Sequence, residues 1–104
     1  MNPTTIKPVR KDTLPKASKE VIVRTYSAGV HIGTLVSQEG TVVKLYNARR
    51  LWSWSGAFTL SKVSTHGVDR SNSRISTSVP EITLTEGIEI IPILEGVDLS
   101  TTEK

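Results

Sequence analysis

Short β-branched runs, each cut off by glycine or a polar turn, are what most restrict the folds open to this chain. Glu20-Val-Ile-Val-Arg-Thr-Tyr26 reads as one strand, and Val30 to Ser37 as a second after the break at Ser27-Ala28-Gly29. Gly33 inside the second run predicts a bulge, and Gln38-Glu39-Gly40 supplies a tight turn. Thr41 to Tyr46 returns as a third strand. The alternation then changes phase near Asn47-Ala48, which predicts a bend before the segment Arg49-Arg50-Leu51-Trp52-Ser53-Trp54. Arg74 to Val79 reads as a short strand that Pro80 confines to an edge or an end. The runs Ile82 to Leu84 and Ile88 to Ile93 close the set, the last expected to pair with Glu20–Tyr26. The fold class expected is therefore mainly β (α+β), a small curled antiparallel sheet or barrel-like domain.

One helical signal interrupts this pattern. Ala57, Leu60 and Val63 share a stripe, Ser55 is a candidate N-cap, and His66-Gly67 ends the element. So short a helix is stable only when packed on the sheet. Pro3, Pro8 and Pro15 punctuate residues 1–18, which read as a flexible basic tail. Residues 19–95 read as a single β-rich domain and 96–104 as an acidic polar tail.

Charge is divided along the chain. Residues 1–74 hold twelve Lys or Arg against four Asp or Glu, while residues 75–104 hold Lys104 against six acids. A basic body favours anionic ligands, and opposite ends favour contacts between copies. With no cysteine there is no disulfide or thiolate metal site. No apolar run approaches the ~20 residues that cross a bilayer, and the polar N-terminus has no signal-peptide core, so a cytoplasmic location is expected. A domain this small gains stability by self-association, and a homo-oligomer is expected.

Both tryptophans and the one adjacent arginine pair fall in the stretch Asn47–Gly56. On an extended strand Arg50, Trp52 and Trp54 face one way, and Arg49, Leu51 and Ser53 the other. A guanidinium beside indoles can hold a phosphate while the rings stack on a base. The competing reading makes the tryptophans core, with arginine stems laid over them. Arg50 is preferred to Arg49 for phosphate because it shares the tryptophan face. Arg74, from the following loop, is a second phosphate candidate. Tyr26 and Ser27, beside a break whose backbone N–H groups could meet a phosphate, and His31 are secondary candidates. A simple turn explains Tyr26–Gly29 as well, and a satisfied sheet histidine explains His31. His66 fits a helix C-terminus, where the macrodipole favours a cation. The chain has no phosphate loop, dinucleotide fingerprint, zinc spacing or nucleophile elbow, and Glu86 and Glu89 form no acid/base pair. A binding protein is expected rather than an enzyme, with no cofactor and no metal.

The blocks R-T-Y-S-A-G-V-H-I-G-T-L, N-A-R-R-L-W-S-W-S-G-A-F-T-L and P-E-I-T-L-T-E-G-I-E-I-I-P resemble a widespread family of small tailed-phage proteins of unknown function. The resemblance covers about residues 20–94. It implies a phage origin and action in the bacterial host cytoplasm. Within that setting the expected function is anti-defence: binding and sequestering a cyclic nucleotide immune signal without cleaving it, as a sponge does. The alternatives are a virion or assembly protein, whose aromatics fill a subunit interface, and a single-stranded nucleic-acid binder using the Arg-Trp strand as a stacking platform.

Overall fold

The computed structural model describes residues 17–103, so the expected basic tail lies outside the described residues apart from Ala17 and Ser18. Among the described residues six strands and one α-helix follow in order: β1 Ala17–Thr25, β2 Val30–Glu39, β3 Val42–Ser53, α1 Leu60–His66, then, after a 3-10 turn at Arg70–Asn72, β4 Arg74–Ile75, β5 Val79–Leu84 and β6 Gly87–Leu94. They form one antiparallel sheet in the order β4-β3-β2-β1-β6, with β5 also on β3. The expected pairing of the last strand with the first is present, running from Ala17↔Leu94 to Thr25↔Gly87. The curl stops short of a closed barrel, because β5 pairs with β3, β6 pairs with β1, and the two do not pair with each other.

The Val21-Ile22-Val23 run shows why this chain folds around two cores. Successive strand residues point to opposite faces, and here both faces are covered. Ile22 joins Ile32, Leu51, Ile75 and Ile93 beneath Val63 of α1 and Leu99 of the C-terminal segment. Val21 and Val23 turn the other way, to Val43, Leu45, Ala48 and Leu84 inside the curl. The phase change in β3 is made by Asn47, which adopts a positive φ of 53° and lets Leu45 and Ala48 face the same core. Opposite it, Gly33 lies where the β2–β3 register shifts. A Cβ there would sit 2.9 Å from the Tyr46 carbonyl oxygen and 3.1 Å from the Leu45 Cβ, so only glycine allows the approach.

The sequence expectations differ from the fold at three places. The helix starts at Leu60 with Thr59 as its N-cap, the Thr59 Oγ1 accepting from the Lys62 N–H at 3.1 Å; Gly56, at φ 89°, breaks the backbone after Ser55. The single strand expected over Arg74–Val79 is two strands, and Pro80 lies within β5, whose one sheet partner is β3. The acidic stretch read as a tail is packed instead. Leu99 is buried, and Thr102 exchanges hydrogen bonds with Ile75 through its backbone N–H and its hydroxyl.

Candidate functional site

The pleat of β3 sends the two arginines to opposite faces. Arg49 points to the helix side and is 5% exposed. Its Nη1 and Nη2 donate to the two carboxylate oxygens of Glu20 at 2.8 Å each, and its Nε to the Leu99 carbonyl at 2.8 Å. Nη1 also donates to the Asn47 carbonyl at 2.9 Å. That guanidinium ties β1, β3 and the C-terminal segment together, and its charge is neutralised.

Arg50 emerges on the other face, opposite His31 in the β2–β3 register. Its Nε and Nη2 lie 3.4 and 3.3 Å from His31 Nε2. A guanidinium only donates, so Nε2 must be the acceptor and the ring proton belongs on Nδ1. The imidazole is 1% exposed, and among the described residues Nδ1 has no hydrogen-bond partner. Burial first, and the Arg50 cation second, hold the His31 pKa down from 6.5 to about 4. The ring is therefore neutral near pH 7 and adds no charge beside the guanidinium.

Around this pair lies an open groove of about 460 Å³, lined by His31, Ala48, Arg50, Trp52, Val79 and Ile82, with Ser76 and Thr77 at its rim. The Arg50 backbone is locked to that rim: its N–H donates to Ser76 Oγ at 2.8 Å and its carbonyl accepts from the Ser76 N–H at 2.9 Å. Trp52 is 58% exposed and forms one wall. The Arg74 guanidinium carbon lies 5.7 Å from the Trp52 ring centroid, within cation–π range. Beyond Trp52 a second, more polar groove of about 860 Å³ is lined by Arg70, Ser71, Asn72, Arg74 and Glu103. Arg70 is committed to the C-terminal segment, donating to the Ser100 and Thr101 carbonyls at 2.9 and 3.1 Å and pairing with Asp98 at 3.6 Å.

Charge accounting separates structural cations from available ones. Arg24, Lys44, Arg49 and Arg70 each have a carboxylate partner. Among the described residues Arg50 and Arg74 form no ion pair, and they flank the most exposed indole of the chain.

Of the candidates expected from sequence, the structure brings together His31, Arg50, Trp52 and Arg74. Arg49 borders the groove but its guanidinium is spent on Glu20. Trp54 lies past the end of β3, half-buried against the helix-side core, with its indole N–H donating to the Ala57 carbonyl at 3.2 Å. Tyr26 and Ser27 lie at the β1–β2 turn, where Tyr26 is 79% exposed; the Tyr26 N–H donates to the Glu86 carbonyl, and the Ser27 hydroxyl to the Glu86 carboxylate. They do not line the groove. Sequence reasoning missed Ser76, Thr77, Val79 and Ile82, which arrive only because β5 folds back onto β3. No group of three or more His, Cys, Asp or Glu among the described residues is placed to hold a metal, and no described helix is long and apolar enough to cross a membrane.

A family model described as a domain of unknown function, DUF6948, matches residues 18–100. The chain belongs to this family. The DUF6948 match spans all six strands but β1's first residue, the helix and the C-terminal segment through Ser100, so the whole groove and its supporting Arg49–Glu20 pair fall inside it. No curated protein and no solved structure matches the chain.

Proposed function

We propose that this protein binds and holds a cyclic nucleotide immune signal without cleaving it, serving a phage as an anti-defence sponge in the cytoplasm of its bacterial host. The observation that carries the reading is the pair of guanidinium groups, Arg50 and Arg74, that have no carboxylate partner among the described residues and lie on either side of the exposed Trp52. Cations free of carboxylates attract phosphate, and an exposed indole beside them supplies a stacking surface for a base. The groove volume falls within the usual range for small-molecule sites, and the neutral His31 beneath it does not oppose an anion. Sequestration asks for stoichiometric binding, not turnover, which agrees with a site that offers donors and a stacking face.

The groove is open, so one copy alone would leave a bound nucleotide partly in water. Val79 and Trp52, both exposed at its edge, supply apolar surface that a second copy would cover. The reading therefore includes a homo-oligomer with ligand pockets between subunits. A second reading, assembly into a virion, draws on the fully exposed Phe58 and half-exposed Ile88, which suit a subunit contact away from the groove.

Isothermal titration against cyclic di- and trinucleotides and cyclic ADP-ribose isomers, with mass measured by light scattering, tests the proposal. Submicromolar binding that Arg50→Ala abolishes at unchanged mass, with intact ligand released on denaturation, is the expected result. No heat across the panel overturns sequestration of these signals and favours assembly.

A further inference from the structure

The two grooves that meet at Trp52 have opposite chemistry. On the His31 side the walls are Ala48, Val79, Ile82 and the indole itself, surfaces suited to a flat, weakly polar ring. On the Arg74 side the walls are polar: the Arg74 guanidinium, together with Ser71 and Asn72, whose hydroxyl and amide N–H donate to the Asp69 carboxylate at 2.9 and 2.8 Å and so leave Arg74 as the donor for a phosphate. Glu103, the carboxylate on that wall, accepts a hydrogen bond from the Thr77 hydroxyl. With Arg70 tied to the C-terminal segment, Arg74 is the cation there without an ion-pair partner among the described residues. Arg74 also lies over the Trp52 ring, which leaves the indole's other face for a planar ligand.

We infer that the ligand straddles Trp52, with its base in the apolar groove against the open indole face and a phosphate in the polar groove at Arg74. This assignment deepens the nucleotide reading and rests on it. It specifies a nucleoside phosphate, in which a ribose bridges the two compartments; neither a free base nor a phosphate without a base fills both. Trp52 is then the partition between two subsites as well as the stacking surface. Arg50, beside the base, is left to meet an acceptor on its edge or the second phosphate of a cyclic ligand.

The experiment uses the full chain and three probes: AMP, adenosine and ribose 5-phosphate, titrated by tryptophan fluorescence and by NMR shifts. The wild-type protein is expected to bind AMP more tightly than either fragment. Arg74→Ala should weaken AMP and ribose 5-phosphate by about tenfold and leave adenosine unchanged, and Arg74→Lys should restore part of the loss. Trp52→Leu, read by NMR, should weaken AMP and adenosine but spare ribose 5-phosphate. Both side chains are exposed, and circular dichroism will show that the variants fold.

If Arg74→Ala leaves AMP binding unchanged, or weakens adenosine equally, the two-compartment assignment is overturned while sequestration can still stand on the cyclic panel. If the fragment pattern holds but every cyclic nucleotide is silent, the sequestration reading falls and the straddling geometry survives. Silence from all three probes and the whole panel overturns both.

Discussion

Arg49 and Arg50 are neighbours in sequence, identical in chemistry and opposite in use. The pleat turns Arg49 into the interior, where Glu20, Asn47 and Leu99 take its donors, and turns Arg50 out over a histidine that offers one ring nitrogen at two long contacts. The difference teaches that charge at a candidate site has to be counted after partners are assigned: of two arginines beside a tryptophan, one is a structural clamp and the other is available to a ligand. The sharpest way to break the comparison is to remove each in turn. Arg49→Ala leaves the Glu20 carboxylate and two carbonyls without donors, and should cost roughly 3–5 kcal/mol of stability in a urea titration. Arg50→Ala should cost less, about 1 kcal/mol, since it leaves behind a neutral acceptor, His31 Nε2, held by two long contacts, and no carboxylate among the described residues. Equal losses would show that the two faces are not divided as described. Replacing the pair together, Arg49→Met with Glu20→Leu, should recover part of the Arg49→Ala loss, because no unpaired charge remains.

The next largest effect comes from the group under Arg50. His31 titrates at about 4 in the fold against 6.5 when unperturbed. Between those values the unfolded chain binds the proton and the folded chain does not, so acid favours unfolding. Stability is complete above pH ~6.5 and falls as the pH drops towards 4, by roughly 3 kcal/mol over the window. Denaturant midpoints at pH 7, 6, 5 and 4 will show the slope. Arg50→Ala should shallow it, having removed one of the two causes, whereas His31→Phe should remove this contribution. A slope unchanged in His31→Phe would assign the acid sensitivity to other groups.

The same division explains what was legible in the sequence. β-branched runs and glycine breaks mark strands by local rules, so the sheet, its one short helix, the bulge at Gly33 and the phase change at Asn47 could be read before the structure was known. Alternation also placed Arg50 with Trp52 and Arg49 with Leu51. Longer-range facts were not legible. Nothing local to Val79-Pro80 says that β5 will return to β3, so the Ser76–Ile82 wall of the groove went unseen. Glu20 and Arg49 are 29 positions apart, and no spacing rule joins them. The acidic composition of residues 96–104 suggested a tail, yet Leu99 is buried, Val97 packs against the same core, and Arg49 and Arg70 hold carbonyls of the stretch. Composition describes solubility; burial is decided by partners elsewhere in the chain.

The tryptophans repeat the contrast with smaller numbers. Trp52 and Trp54 are two residues apart and should share a face, but β3 ends at Ser53 and Trp54 turns back towards the helix. Trp54→Ala gives up half-buried indole packing and the hydrogen bond to Ala57, a loss of about 2 kcal/mol. Trp52→Ala gives up an exposed ring and a cation–π contact with Arg74, under about 1 kcal/mol. Iodide quenching separates the two without any ligand: in Trp54→Phe the remaining fluorescence comes from an exposed indole beside two arginines that form no ion pair among the described residues, and should quench strongly. In Trp52→Phe it comes from a half-buried ring and should quench weakly. The same emission would then report on the groove, because a base stacked on Trp52 protects it from iodide while Trp54 is unaffected. Protection of Trp54 by the ligand in its place would move the site to the far side of the sheet and return Trp52 to the role of subunit contact.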